Sequence, residues 1–389
     1  MNSNKPQKAL LWLDGAHFVN DVYTGMLNPI MPFVAAKIGI SMAIATVILT
    51  VSHICSSLLQ PVFGFFADNI VKRSFIFWGL ILSSIFIPLA VTSDYIWFLV
   101  LCIALGSIGS SFFHPQALGL TSEFAKGPKS SKSMAIFLAM GTLGYSTGPV
   151  LSGAITQYVG LHKMPIMTII GIIWASLMFK FVPKISLTKK IKEQINFKQA
   201  FKEILSNHKL NILNIIAMLK TMVQSSCFIL LPFLWKNMGY KPIYIGIALF
   251  LFIFAGGLGS LMSAEIEKRI GAQNVFYISM ISTFPLMLIF IILCKDFPIL
   301  SLTIFIIMGF LTMMATPLTM IMAQNVLPEY KSIISGFING FSWGVIAILM
   351  SALGFVAENI GITKVLIAVA FIPAICSLLI KELFKPCNQ

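Results

Sequence analysis

Five polar residues lie on one face of an apolar stretch near the start of the chain and could carry proton chemistry. The residues around them are mostly Leu, Trp, Phe, Val and Met. At 100° per residue, a helical arc of roughly 80° contains all five: Asp14, His17, Asp21, Thr24 and Asn28. Ionisable groups inside a bilayer are costly and nearly always face a bundle interior or a water-filled cavity. The pattern predicts a helix that lines a polar pathway, with Asp21 and Asp14 as candidate proton carriers.

The alternative is a hydrogen-bonding stripe that only holds neighbouring helices together. Two carboxylates are more than helix packing needs, so the sequence favours a functional stripe. On the same helix we expect His17, Asn20 and Thr24 to contact a ligand.

The elements that must position these residues are membrane spans. The chain is 58% hydrophobic and only 10% charged, far from the composition of a soluble domain. Twelve apolar runs are each long enough to cross a hydrocarbon core of about 30 Å. They lie at about 9–36, 42–66, 74–92, 96–120, 133–158, 163–182, 210–235, 242–264, 274–294, 298–323, 332–356 and 363–380; we number them spans 1 to 12.

The two halves of the chain repeat at an offset close to 200, as shown by Gly39 and Gly239 after spans 1 and 7. The sequence therefore predicts an all-α membrane protein of twelve transmembrane helices in two six-helix repeats. We expect an N-terminal bundle at 1–182, a cytoplasmic linker at 183–209 and a C-terminal bundle at 210–389. The linker contains an apolar stripe that predicts an amphipathic helix on the inner membrane surface: Phe197, Ala200, Phe201, Ile204 and Leu205.

The net charge of +14 reflects membrane topology, not nucleic-acid binding. With a cytoplasmic N-terminus, twenty of the 27 lysines and arginines fall in inner segments and six in outer loops. By the positive-inside rule, both termini are cytoplasmic, and we expect a multi-pass protein of a bacterial cytoplasmic (inner) membrane.

Lys220 is the one basic residue placed within a span, at about mid-depth on span 7. By the repeat it corresponds to Asn20, beside Asp21. A lysine buried at the midplane needs a counter-charge or an anionic ligand. We expect it to pair with Asp21 or Asp14 when no ligand is bound.

Further polar or aromatic residues within the spans are candidate ligand contacts: His53, Gln116, Gln224, Asn339 and Trp343. His114 on span 4 is a candidate proton carrier. For His53 and His114 the alternative is a histidine that only completes a hydrogen bond, and for Trp343 the alternative is core packing.

Two motifs resemble signatures of the major facilitator superfamily. Gly64 to Arg73, after span 2, resembles its signature loop, which implies a latch between Asp68 and the basic pair Lys72 and Arg73. On span 5, Gly148-Pro149 lies in a run that resembles the glycine-proline motif of antiporters in this superfamily. Ordinary small-residue packing is the alternative for that run.

Three segments together resemble the fosmidomycin-resistance branch of that superfamily: His17-Phe-Val-Asn20-Asp21, Ser56 to Val62, and Gly106 to Gln116 with its His114-Pro115 pair. The resemblance implies a secondary active transporter that works by alternating access. It further implies proton-coupled efflux of a small drug or metabolite, with anions among the candidates. Gln116 departs from the branch, which usually has an acidic residue there.

Two rival functions remain open at this point. One is proton-driven uptake of a small organic nutrient or metal-chelating metabolite, and the other is a non-transporting membrane receptor or scaffold. No nucleophile–base pair indicates an enzyme, and the six scattered cysteines suggest neither a metal centre nor a cofactor. We expect a monomer in the lipid bilayer whose partners are protons and a small-molecule substrate.

Overall fold

The chain is described by a computed structural model that covers residues 4–60, 62–63, 74–125, 130–183 and 197–385. Within these residues the twelve predicted spans are helical, and the predicted all-α fold is confirmed. Spans 1 to 6 comprise Asn4–Gly25 with Leu27–Ile38, Met42–His53 with the π-helical turn Ile54–Leu58, Ser74–Ala90, Ile96–Phe124, Ser130–Tyr158, and the 3-10 turn Leu161–Met167 with Thr168–Phe181.

The second half follows the same plan after a short connecting helix, Phe197–Ser206. Spans 7 to 12 comprise His208–Ile229 with Leu231–Asn237, Pro242–Ile270, Ala272–Ile281 with Thr283–Leu293, Pro298–Met313 with Thr316–Val326, the short helix Lys331–Ser335 with the π-helical turn Gly336–Phe341 and Ser342–Ile360, and Ile362–Cys376 with Leu379–Leu383.

Nine of the helices in the described residues are long and apolar enough to cross a membrane. Met42–Leu58 and Ser74–Ala90 are apolar but shorter. The first helix of span 1, Asn4–Gly25, runs unbroken through Asp14, His17 and Asp21, which occupy positions that a purely structural span would fill with apolar side chains.

The described residues form two compact units. One comprises Met1–Thr188 with Trp235–Phe250, and the other comprises Lys189–Leu234 with Leu251–Gln389. The domain boundaries expected from the sequence stay a prediction.

The repeat inferred from the sequence is visible in the backbone. Gly39 and Gly239, 200 positions apart, both adopt the left-handed conformation, with φ of 79° and 86°. In each case the next residue closes the same turn, because the Ile40 N–H donates to the Ala35 carbonyl (3.0 Å) and the Tyr240 N–H to the Trp235 carbonyl (2.9 Å).

Span 1 is held in the first unit by close helix packing. Because lipid tails are as apolar as leucine, such packing depends on small residues and interhelical hydrogen bonds. A Cβ atom added to Gly144 on span 5 would clash with the Phe18 carbonyl, and one added to Gly148 would clash with the Val22 carbonyl. The Tyr23 hydroxyl donates to the Met167 carbonyl at 2.6 Å. Spans 1 and 5 therefore touch backbone to backbone.

The connecting helix Phe197–Ser206 lies where the amphipathic stripe predicts a helix. Its Ile204 is fully buried in the core of the second unit, and the Phe201 ring lies 6.3 Å from that of Phe337. On the apolar face, Ile204 thus packs against protein, while Phe201 and Leu205 are exposed.

The paired glycines give a test of the backbone. Gly39→Ala and Gly239→Ala should each cost about 1–2 kcal/mol, because an L-residue is strained in the left-handed region. No other atom lies within 4 Å of either added Cβ, so the cost is one of backbone conformation alone. Asn should restore part of the loss. Thermal unfolding in detergent measures these changes; an Ala variant as stable as the wild type would contradict the assignment.

Candidate functional site

Asp21 lies between two histidines in the first unit. His17 Nε2 is 3.3 Å from Asp21 Oδ2, and His114 Nε2 is 3.2 Å from Asp21 Oδ1. His17 and Asp21 are one helical turn apart on span 1, and His114 is supplied by span 4. We refer to these three residues as the histidine–aspartate cluster.

Main-chain carbonyls determine which nitrogen of each histidine carries a proton. His17 Nδ1 lies 2.8 Å from the Phe137 carbonyl on span 5, and His114 Nδ1 lies 2.8 Å from the Ser110 carbonyl. A carbonyl oxygen only accepts hydrogen bonds, so each Nδ1 must be the donor. In a neutral imidazole, each Nε2 then presents a lone pair towards Asp21.

Two further protons are needed to satisfy these contacts. With neutral histidines and an ionised Asp21, acceptor faces acceptor at both contacts and the cluster has a charge of −1. One bridging proton makes the cluster neutral and satisfies one contact. Two bridging protons satisfy both contacts and give a charge of +1. The geometry therefore leaves places for up to two bridging protons.

Neighbouring polar groups hold Asp21 in place. The Asn20 side-chain amide donates to Asp21 Oδ1 at 3.0 Å and to the Ser110 hydroxyl at 3.4 Å. The Thr24 hydroxyl donates to the Asp21 main-chain carbonyl at 2.9 Å. Asn20 and Thr24, which the sequence predicts as ligand contacts, thus make their described bonds to Asp21 and its neighbours, while their ligand role stays a prediction.

The cluster is reached from the His114 side. The His114 side chain is 27% exposed and that of Asp21 14%, whereas that of His17 is only 6% exposed. Asp14, two turns before Asp21, is half-buried and interacts electrostatically with His17. Its Oδ1 is buried and has no hydrogen-bond partner among the described residues. Asp14 is therefore a second acidic group beside the cluster.

Gly141 on span 5 makes the cluster possible, and the sequence analysis missed it. A Cβ atom there would lie 2.5 Å from His17 Nε2 and 2.9 Å from Asp21 Oδ2. Gly141 stands one turn before the close-packed Gly144 and two turns before Gly148. This glycine spacing was the available signal, since only a hydrogen atom fits where span 5 meets the cluster.

A cavity of about 140 Å³ surrounds Lys220 in the second unit. At about 30 Å³ per water in the liquid, the cavity has room for roughly four or five waters or a small organic solute. Lys220 is buried and donates to the Thr316 hydroxyl at 3.1 Å. Gln224 and Trp343, both predicted ligand contacts, line the same cavity.

The ammonium of Lys220 is not neutralised within its unit, where no described carboxylate contacts it. Thr312 lines the same cavity, and its buried hydroxyl oxygen has no partner among the described residues. A buried cation beside an unpaired hydroxyl group provides the chemistry that binds an anion. The expected pairing of Lys220 with Asp21 or Asp14 stays a prediction.

Gln116 makes a contact that the sequence did not indicate. Its side-chain oxygen accepts from the Ile76 N–H at 3.0 Å, which satisfies one of the open backbone donors in the first turn of span 3. This contact favours a structural role, so we leave Gln116 out of the site proposed below.

His53 and Asn339 stand at two π-helical turns. His53 directly precedes Ile54–Leu58, and Asn339 lies within Gly336–Phe341. Such turns occur frequently at functional sites. The side chain of Asn339 lies outside the described part of the chain, and the roles of both residues stay predictions.

Of the residues expected to form gates, Gly148 and Pro149 lie where span 5 meets two neighbours. A Cβ on Gly148 would clash with span 1, and one on Gly246 of span 8 would clash with the Pro149 carbonyl. Asp68, Lys72 and Arg73 lie outside the described residues, so the predicted latch stays a prediction.

Comparisons with known proteins agree with the helical architecture and with the motifs. A sequence model of the Major Facilitator Superfamily matches residues 13–352. The fosmidomycin resistance protein of Escherichia coli (strain K12) is 25% identical over 390 residues, which cover 96% of this chain and 91% of that protein. YfnC of Bacillus subtilis (strain 168), described as an uncharacterized MFS-type transporter, is 23% identical over 92% of this chain and 88% of its own.

Solved structures support the fold alone. A mutant of the nucleoside transporter NupG superposes with a TM-score of 0.76 at 16% identity, covering 97% of this chain and all of its own. A POT family transporter in complex with 5-aminolevulinic acid has the same TM-score at 13% identity, covering 97% of this chain and 96% of its own.

Gly141→Ala tests the packing of span 5 against the cluster. The added methyl group must displace His17 or Asp21, and overpacking of this kind costs about 1–3 kcal/mol. The melting temperature in detergent should fall, measured with a dye that reacts with buried cysteines such as Cys102 and Cys227 as they become exposed. Gly119→Ala on span 4 is the matched control, since its Cβ meets open space. Equal melting temperatures would contradict this account.

Proposed function

Because the chain belongs to the major facilitator superfamily, and is thus a multi-pass membrane transporter, we propose that it couples protons to the export of a small anionic compound. The histidine–aspartate cluster is the proton site, and the cavity around Lys220 contributes the anion site. His17, which the sequence suggests as a substrate contact, is assigned here to the proton site.

The observation that carries the proposal is that the Nε2 atoms of His17 and His114 both face the Asp21 carboxylate, and that a neutral histidine would present a lone pair there. A cluster whose contacts are satisfied by added protons changes its charge by one with each proton gained or lost. Inside a membrane such a change is costly unless the protein provides for it. The partly exposed His114 ring supplies a route by which protons leave and return.

The substrate class follows from Lys220. A buried ammonium whose described partner is a hydroxyl gains most from an anion, because charge-assisted hydrogen bonds are about twice as strong as neutral ones. The unpaired Thr312 hydroxyl and the Gln224 amide supply further donors. This arrangement favours a small carboxylate, phosphate or phosphonate over a neutral solute.

Export rests on the relatives and on span 5. A relative along almost the whole chain is named for fosmidomycin resistance, which fits removal of a toxic compound. The Gly148-Pro149 run resembles the antiporter motif. In such a cycle, external protons load the cluster as the substrate leaves, and the cluster releases them to the cytoplasm as the next substrate binds.

Proton-driven uptake is the second candidate, since the same two sites serve either direction. Vesicle orientation separates the two. Everted vesicles that are acid inside should accumulate the substrate of an exporter. Accumulation only in right-side-out vesicles with an acid exterior would indicate uptake.

We expect Asp21→Asn to abolish gradient-driven transport while exchange of substrate for substrate continues. The amide keeps the size of the side chain and removes the group that bridges both histidines. A panel of compounds that begins with fosmidomycin is first screened for tolerance in cells that express the wild-type chain. A compound to which the chain gives tolerance is then the transport probe. Accumulation of this compound in everted vesicles, with and without a protonophore, measures gradient-driven transport. Counterflow measures the exchange of substrate for substrate.

Asp14→Asn is the matched control for that substitution, because Asp14 lies on the same stripe outside the cluster. It should retain gradient-driven transport. If Asp21→Asn retains gradient-driven transport and Asp14→Asn loses it, then Asp14 carries the proton and the proposal for the cluster is refuted.

Lys220→Gln should weaken the binding of anions about 10- to 100-fold, because a hydrogen bond to a charged group contributes about 1.5–3 kcal/mol. Binding of neutral solutes of similar size should change little. Lys220→Arg should restore binding only in part, since the guanidinium differs in shape and hydration. Competition in the vesicle assay measures these affinities, and Lys163→Gln on the protein surface controls for the lost charge. Unaltered anion affinity in Lys220→Gln would refute the anion site.

A further inference from the structure

The histidine–aspartate cluster also has the features of a metal-binding site. One ligand atom from each of His17, Asp21 and His114 lies within 4.8 Å of the other two. We propose that the cluster binds one divalent transition-metal cation, with Zn²⁺ as the type ion, in place of its two bridging protons. This inference shares the cluster with the proposed function but rests on ligand geometry and not on transport.

The distances suit a tetrahedral metal. Around Zn²⁺ with ligands at about 2.0–2.2 Å, neighbouring ligand atoms lie about 3.3–3.6 Å apart. In the cluster, His17 Nε2 lies 3.3 Å from Asp21 Oδ2 and His114 Nε2 lies 3.2 Å from Asp21 Oδ1, so each nitrogen is at ligand spacing from its own oxygen of the one carboxylate. Two imidazole nitrogens and a carboxylate form a ligand set that first-row divalent metals favour.

The histidines are already oriented as metal ligands. A metal-bound histidine usually donates its second ring N–H to a carbonyl or carboxylate, which fixes the tautomer. Both Nδ1 atoms do so here, to the Phe137 and Ser110 carbonyls at 2.8 Å each. Asp21 is likewise held, by the Asn20 amide at 3.0 Å.

The charges also balance. The cluster without bridging protons has a charge of −1, so one divalent cation brings it to +1. Two bridging protons bring it to the same +1. Exchange of two protons for one metal ion thus leaves the net charge inside the membrane unchanged, which avoids a large electrostatic penalty.

Closed structural zinc sites have four protein residues as ligands, whereas this cluster has three, as in sites that exchange a ligand. The side chains of His114 and Asp21 are partly exposed, so an ion can reach the cluster from their side. The sequence analysis expected no metal centre, because the ligands come from two distant spans and no local spacing reveals them.

Cobalt binding to the purified, chelator-treated protein tests the proposal. Co²⁺ should bind at one ion per chain with the visible bands of a four-coordinate nitrogen and oxygen site, and Zn²⁺ should displace it. His114→Gln and Asp21→Asn should each weaken Co²⁺ binding more than about 100-fold, since losing even a hydrogen-bond partner of a ligand costs 10- to 100-fold. The control His162→Gln/His208→Gln lacks the exposed histidines and should bind as the wild type does.

Proton release provides a readout that needs no variant. Binding should release up to two protons per metal in weakly buffered solution, and metal affinity should fall as the pH is lowered, because protons and metal compete for the same atoms. The other titratable groups close to the cluster are Asp14 and Tyr145. Asp14→Asn and Tyr145→Phe should leave the number of released protons unchanged.

Two outcomes would overturn the proposal: wild-type protein without saturable Co²⁺ binding, or binding that survives His114→Gln and disappears in the surface double variant. The measurement uses purified protein without a gradient. It therefore succeeds or fails independently of the transport assays that test the proposed function.

Discussion

Two hydrogen bonds from histidine to main-chain carbonyls determine the chemistry of the first unit. Because Phe137 and Ser110 accept from the Nδ1 atoms, both Nε2 atoms are directed at one carboxylate. Without these bonds either ring could present an N–H to Asp21 and remain neutral. With them, the contacts around Asp21 require an added positive charge. The capacity for protons and the proposed capacity for metal have this one cause.

The two units handle buried charge in opposite ways. In the first, a carboxylate is surrounded by bases and amides, so small cations satisfy it. In the second, the ammonium of Lys220 faces hydroxyl groups across a cavity, so an anion satisfies it. In our proposal, each site is completed by a different ion. This division is well suited to a protein that moves one solute against another.

The sequence predicted the fold better than it predicted the contacts within the candidate site. Span lengths and the Gly39–Gly239 repeat were enough for the twelve-helix architecture, because a membrane allows few alternatives. The polar stripe singled out Asp21, whose described neighbours are polar, and its role as a proton carrier stays a prediction. Its pairing with His114 was not predictable, since it depends on how two helices cross. The carbonyl of Phe137 gave no signal either, because backbone atoms are the same in every residue.

The carbonyl that orients His17 belongs to a different helix from the one that carries His17. Gly141 keeps the two helices in contact at that level, with no side chain between them to absorb a displacement. A shift of span 5 that breaks the hydrogen bond from His17 Nδ1 to the Phe137 carbonyl therefore removes the constraint that keeps a proton on Nδ1. The placement of protons between His17 and Asp21 thus depends on how closely spans 1 and 5 pack against each other.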